Sequence, residues 1–103
     1  MSEDVTIEPQ DRFEINPLYL FRWEETQDAY VLLYPEGVVK LNETAGEILK
    51  RCTGEVSVTE IIDELKERFS ARGPHTETSV ETSVHKFLEV SQAKGWIKRK
   101  ADG

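Results

Sequence analysis

The sequence is poor in the residues that mark disulfide frameworks, metal clusters and membrane insertion. It contains one cysteine, Cys52, and two histidines among 103 residues. A single cysteine excludes an internal disulfide and any thiolate metal cluster built from one chain. The amino-terminal stretch has neither the basic nor the apolar part of a signal peptide, and no apolar run is long enough to cross a bilayer. We therefore expect a cytoplasmic protein with no membrane partner.

Positive charge is also in short supply. Lysine and arginine number 13 against 20 aspartates and glutamates, which gives a formal net charge of -7. Such a balance repels nucleic acids unless a local basic patch overrides it. The last long helical stretch carries mostly Thr, Ser and Glu, with Lys86 and Lys94 as its fixed positive charges, rather than the Arg and Asn that read base edges. The sequence thus predicts no nucleic-acid partner, although its element order suggests a winged helix.

The side chains that could support catalysis stand apart from one another. His75 lies in a Gly-Pro loop and His85 in a helical stretch, and neither has a carboxylate or cysteine partner at triad or metal-ligand spacing. Cys52 occupies a core position of the first predicted helix, where a free cysteine behaves as a small hydrophobe. We therefore expect no enzyme activity, no cofactor and no metal site.

The length and composition indicate one domain with one small core. Residues 1–16 are acidic and lack a sustained period, which predicts a flexible tail, with the domain proper spanning residues 17–100. Phe13 and Ile15 are the apolar exceptions in that tail.

Three strands are predicted in the first half of the domain. Tyr19, Phe21 and Trp23 alternate with less apolar residues, as in a half-buried strand. A run of β-forming residues from Tyr30 to Tyr34 predicts the second strand, and Val38 to Leu41 predicts the third.

The connection between the second and third strands is Pro35-Glu36-Gly37, which suits a type I turn closed by a left-handed glycine. Asn42 then caps a first helix. Ser57 and Glu60 form the capping box of a second helix. The buried stripes are Ala45, Ile48, Leu49 and Cys52 in the first helix, Val58, Ile61, Ile62, Leu65 and Phe69 in the second, and Val80, Val84, Phe87 and Leu88 in the third.

These elements predict an α+β fold in which a three-stranded antiparallel sheet is followed by three helices. Trp96 and Ile97 begin a short closing strand. Unless that closing strand pairs beside Val38 to Leu41, the outer edge of the third strand keeps unpaired amides and carbonyls, which are a template for another strand. The edge could bind an extended peptide, with Val80, Val84 and Phe87 as the helical wall of an adjacent groove. The alternative is a homodimer, a self-associating structural module that pairs the same edge with its two-fold mate.

Residues 21–62, and above all the stretch LLYPEGVVKLNETAGEIL, closely resemble the PqqD family of pyrroloquinoline quinone (PQQ) biosynthesis. The resemblance implies a winged-helix-like peptide recognition element that binds the ribosomal precursor peptide PqqA. It further implies presentation of PqqA to the radical SAM enzyme PqqE, which joins a Glu and a Tyr side chain of the peptide. In related recognition elements the peptide is added to the third strand and packs against the third helix. By position, that implies a peptide site at Val38, Val39, Lys40 and Leu41 and at Val80, Val84 and Phe87.

The chain departs from the family pattern at two positions. Ser83 precedes Val84 where many relatives carry Asp, so the polar contacts of that helix do not transfer. Gly46 replaces a usual alanine, which we attribute to close packing of the helix on the sheet.

Overall fold

The computed structural model describes residues 7–69 and 76–100. In chain order the elements are β1 (Arg12–Ile15), β2 (Leu20–Glu24), β3 (Ala29–Tyr34), β4 (Gly37–Lys40), α1 (Glu43–Lys50), β5 (Thr53–Ser57), α2 (Val58–Phe69), α3 (Thr76–Lys94) and β6 (Ile97–Arg99). The three strands predicted from the sequence are β2, β3 and β4, and the three predicted helices are α1, α2 and α3.

The strands form two antiparallel sheets, in the orders β2-β3-β4 and β5-β1-β6. The α+β class with three helices is confirmed, but the single predicted sheet is incomplete. The closing strand β6 pairs with β1, where Ile97 stands opposite Ile15. The second sheet thus joins the two ends of the domain, and β6 does not cover β4.

The amino-terminal segment differs from the predicted tail. Phe13 is fully buried in the middle strand of the second sheet, and the Asn16 amide donates to the Trp96 carbonyl at 2.8 Å. The prediction of a tail up to residue 16 is therefore wrong for residues 7–16, and residues 1–6 lie outside the described part. The physical reason is that a four-residue strand between two partners needs only one or two apolar side chains, too few to produce a visible period.

The hairpin between β3 and β4 has a two-residue loop, because Tyr34 pairs directly with Gly37. Among the described residues, positive φ angles occur at Asp28, Gly54 and Gly95. The predicted left-handed conformation of Gly37 is therefore wrong. With Tyr34 and Gly37 in register, no extra residue is left to form a bulge.

The predicted helix caps are present. The Ala45 amide donates to Asn42 Oδ1 at 2.8 Å, which caps α1. In the capping box of α2, the Ser57 amide donates to Glu60 Oε1 at 2.9 Å and the Glu60 amide donates to Ser57 Oγ at 3.2 Å. The strand β5, which runs into this box, was not predicted, and Gly54 lies within it.

The helices pack on the sheets around one apolar core. All the predicted buried residues of α1 and α2 lie in it, and so do Val80, Val84 and Leu88 of α3. Gly46 lets α1 approach β3 closely, since a Cβ there would stand 2.7 Å from Cδ2 of Tyr30. The Tyr30 ring is itself held against Phe21, with 4.8 Å between ring centroids. Close packing of this helix on the sheet, the explanation given for Gly46, is confirmed.

Across residues 7–69 and 76–100, none of the helices combines the length and the apolar character that a membrane span requires.

Candidate functional site

The outer edge of β4 carries main-chain groups that no strand within residues 7–69 and 76–100 pairs with. The Leu41 amide donates to the Tyr30 carbonyl at 3.0 Å, so Leu41 directs its main chain toward β3. Because this direction alternates along an antiparallel strand, Val39 also faces β3, whereas Val38 and Lys40 direct their N–H and C=O groups outward. No strand in the described ranges pairs with that outer edge. In the described residues the closing strand therefore does not pair beside β4, which is the condition for the free edge predicted from the sequence.

Three other strands, β2, β5 and β6, also stand at sheet edges. What distinguishes β4 is a groove of about 490 Å³ beside it, bounded by α1 and by residues 83–90 of α3. No residue of β2, β5 or β6 lines this groove. It is lined by Val39, Lys40, Leu41, Asn42, Thr44, Ala45, Ile48, Ser83, Lys86, Phe87, Val90 and Trp96.

The predicted helical wall needs correction. Val84 is fully buried and Val80 is 7% exposed, and both pack in the core rather than in the groove. Phe87 does line the groove, together with Ser83 and Val90 at helical spacing from it. The apolar stripe of α3 predicted from the sequence therefore divides into core residues and groove residues. Helical spacing from Phe87 would have predicted that Ser83 and Val90 line the groove, but no local sequence pattern indicated Trp96.

Aromatic and aliphatic side chains form the far end of the groove. The rings of Phe87 and Trp96 are tilted against each other with centroids 6.3 Å apart. Val90 is 39% exposed beside them. Lys94 Nζ lies 5.7 Å from the Trp96 ring, within the range of a cation–π contact. This end of the groove is a partly exposed apolar surface against which a side chain of a bound peptide could pack.

The strand side of the groove is less open than its helix side. Leu41 is 5% exposed and Val39 is half-buried, so these two form its floor. The Val38 side chain is 58% exposed on the opposite face of the sheet and does not line the groove. Val38 can therefore contribute its main chain to a peptide in this groove, but not its side chain.

A second cavity, of about 520 Å³, lies between the sheet and the start of α1 and shares Lys40, Leu41 and Asn42 with the groove. Its charged lining includes Glu47, which is 5% exposed. Arg51 Nη1 lies 2.8 Å and Arg68 Nη2 3.2 Å from its carboxylate oxygens. Because Arg51 also binds Glu64 at 2.7 Å, these ion pairs connect α1 to α2. Their role is to hold the two helices together.

The remaining candidate for chemistry is Cys52. It is 3% exposed, and its thiol donates to the Ile48 carbonyl at 3.4 Å. Burial raises the pKa of Cys52 to about 12, so the group is a thiol at neutral pH and a poor nucleophile. The predicted packing role is confirmed. His85 is partly buried on α3, while His75 lies outside the described residues.

Metal ligands do not converge in the described part of the chain. There, no group of three His, Cys, Asp or Glu side chains is arranged to hold an ion.

Comparison with known proteins places these elements in a family. Residues 29–97, which run from the first residue of β3 to the first of β6, match the family model of coenzyme PQQ synthesis protein D (PqqD). A protein of Methylococcus capsulatus named PqqA binding protein is 39% identical over 94 residues, covering 91% of this chain and 95% of its own. A protein of Pseudomonas aeruginosa with the same name is 46% identical over 79 residues, covering 77% and 80%.

The fold is also found in a solved structure. The PqqD truncation of Methylobacterium extorquens PqqCD, determined by NMR in solution, superimposes with a TM-score of 0.72 at 21% identity. The match covers 92% of this chain and 97% of that one. That truncation is described as a functional, stand-alone recognition element for ribosomally synthesized and post-translationally modified peptides. With the family match and these relatives, the resemblance seen in the sequence is confirmed, and the chain belongs to the PqqD family.

Proposed function

We propose that this chain takes part in PQQ biosynthesis by binding a PqqA-type precursor peptide as an added strand on the outer edge of β4. The observation that carries the proposal is the outward main chain of Val38 and Lys40 beside the apolar groove against α3. The names of the relatives support a peptide of the PqqA type as the ligand. In this proposal the chain is a peptide chaperone and catalyses nothing itself.

The main-chain edge alone is too weak to give useful affinity. Val38 and Lys40 each offer one N–H and one C=O, and four bonds at about 0.5 to 1.5 kcal/mol contribute about 2 to 6 kcal/mol. Micromolar binding requires about 8 kcal/mol, after the cost of association has been met. The remainder comes from apolar side chains of the peptide that enter the groove, each contributing about 1.5 to 3 kcal/mol when fully buried. Phe87, Val90 and Trp96 are the residues that would receive them.

The same geometry suits presentation to a second protein. A strand added to β4 uses one of its two edges, while its other edge and the rest of the peptide stay accessible. We propose that the radical SAM enzyme PqqE acts on the peptide in this bound state. A three-component sedimentation experiment, with this chain, PqqA and PqqE, should then show one complex that contains all three.

A titration of the isotope-labelled protein with synthetic PqqA of Methylococcus capsulatus tests the binding site. We expect amide shifts in residues 38–41 and at Ser83, Phe87 and Val90, with residues 12–15 of the other sheet as the internal control. Shifts confined to β2 or β5 would move the site to another edge and overturn the assignment to β4.

A homodimer joined through two β4 edges would compete for the same main-chain groups. Sedimentation velocity at micromolar protein, with and without PqqA, separates the two uses of the edge. Peptide binding at β4 predicts that PqqA dissociates any such dimer. A dimer that persists with PqqA bound does not use the β4 edge.

A further inference from the structure

We propose that the groove selects precursor peptides with carboxylate side chains, which Lys40 on the strand side and Lys86 on the helix side bind. This proposal rests on the proposed function and specifies the chemistry of the peptide at the same site.

The charge of the groove is opposite to that of the chain. The full sequence has 20 acidic and 13 basic residues, yet the described residues that line the groove include two lysines and no aspartate or glutamate. The neighbouring cavity shares Lys40 and is also lined by Arg68, but its lining includes three carboxylates, Asp28, Glu43 and Glu47. An excess of positive charge is therefore found in the groove and not in the cavity beside it.

The two lysines also lack ionic partners in the described part of the chain, where neither Lys40 nor Lys86 forms an ion pair. Among the described residues, two other lysines do form ion pairs, whereas Lys50, Lys94 and Lys100 form none. Lys66 lies 3.9 Å from Glu81, and Lys98 lies 3.9 Å from Glu14. Lys40 and Lys86 are both exposed, so each can turn its ammonium group toward a ligand without breaking a contact within the protein.

The positions of the lysines suit a strand lying between them. Lys40 is one of the two β4 residues whose main chain faces the added strand, and Lys86 stands on α3 across the groove. Because side chains alternate along a strand, Lys40 shares the sheet face of Val38, which is turned away from the groove floor, whereas Lys86 stands at the groove itself. Side chains of an extended peptide alternate in the same way, so carboxylates on its outward face can reach Lys40, while side chains on its other face enter the groove or reach Lys86.

Long-range electrostatics would act against an acidic peptide, since the chain carries a net charge of -7. That repulsion is screened beyond about 8 Å at physiological ionic strength, whereas a lysine–carboxylate contact acts at a few ångströms. Salt weakens both the long-range repulsion and the lysine–carboxylate attraction, with opposite effects on affinity, so a salt titration does not separate them. Substitutions of the charged residues do separate them.

The experiment measures the dissociation constant of the full chain for synthetic PqqA of Methylococcus capsulatus, and for the same peptide with Asp and Glu replaced by Asn and Gln. The protein variants are Lys40→Gln, Lys86→Gln and the double charge reversal Lys40→Glu with Lys86→Glu. Lys50→Gln is the matched control, because Lys50 is exposed on α1 and does not line the groove.

We expect each neutralisation to weaken binding by about 1.4- to fivefold, the range measured for exposed ion pairs. The double reversal should weaken it by about tenfold or more, and Lys50→Gln should leave it unchanged. The peptide without Asp and Glu should bind the wild-type protein more weakly. Its affinity should not change with Lys40→Gln or Lys86→Gln, because the lysines then have no carboxylate partner on the peptide.

Two results overturn the proposal, and they are distinguishable. If PqqA shifts the amides of β4 and α3 but all lysine variants bind it as the wild type does, the charge selection is wrong and the proposed function stands. If PqqA shifts neither element, the proposed function fails and the charge selection fails with it.

Discussion

Replacing Val38 by proline tests strand addition without disturbing the protein's own sheet. The Val38 amide points away from β3, and its side chain is 58% exposed. Proline is tolerated on an edge strand where the missing N–H faces solvent. The variant should therefore fold like the wild type while offering one donor fewer to an added strand.

The expected loss of affinity follows from this geometry. One main-chain hydrogen bond contributes about 0.5 to 1.5 kcal/mol. The pyrrolidine ring also occupies the space where the peptide's carbonyl would approach, which adds a steric term. A total of about 1 to 2 kcal/mol corresponds to binding of PqqA that is weaker by about five- to thirtyfold.

Two further variants serve as controls. Val38→Ala keeps the amide, and since the Val38 side chain does not line the groove, binding should be unchanged. Val39→Pro removes an amide that the register directs at Leu32 in β3. It leaves a buried carbonyl unpaired, so it should reduce the free energy of unfolding by about 1 to 3 kcal/mol.

Fluorescence anisotropy with labelled PqqA gives the affinities, and urea denaturation gives the stabilities. A folded Val38→Pro protein that binds PqqA as tightly as the wild type would refute strand addition at β4. A Val39→Pro protein with wild-type stability would show that the assigned direction of the β4 amides is wrong.

Three other substitutions test the packing around the site, each by urea denaturation. Gly46→Ala should destabilise the fold, because a Cβ 2.7 Å from the Tyr30 ring causes overpacking of about 1 to 3 kcal/mol, which exceeds the helix-propensity gain of about 1 kcal/mol. In a Tyr30→Ala background the same change should stabilise; a cost that persists there contradicts the Tyr30 contact. For Cys52, burial raises the folded-state pKa to about 12, so the wild type should lose stability relative to Cys52→Ala as pH rises above about 8.5. The slope is at most about 1.4 kcal/mol per pH unit, because the unfolded chain releases the proton first. A flat difference up to pH 10 would contradict burial of the thiol. Glu47→Gln should reduce the free energy of unfolding by about 1 to 2 kcal/mol, because it weakens the ion pairs that the buried Glu47 carboxylate forms with Arg51 and Arg68. An unchanged denaturation midpoint would show that these ion pairs are energetically neutral.

The sequence by itself determined the features that depend on nearby residues. The Asn42 cap and the Ser57–Glu60 box each join residues three positions apart, so the bonding partners are close in the sequence. The hairpin from β3 to β4 was predictable for the same reason, since its strands are joined by two residues. The long match to the PqqD family extended these local signals to a function that no residue pattern alone would have identified.

The tertiary structure decided which residues form the groove. Sequence periodicity places Val84 and Phe87 on one stripe, but the packing of α3 buries Val84 and leaves Phe87 at the rim. The placement of β1 between β5 and β6 likewise depends on contacts between the two ends of the domain. That placement directs β6 away from β4, so the outer edge of β4 has no partner strand in the described part of the chain. A helix cap depends on a few consecutive residues, whereas an open edge depends on where every other strand has paired.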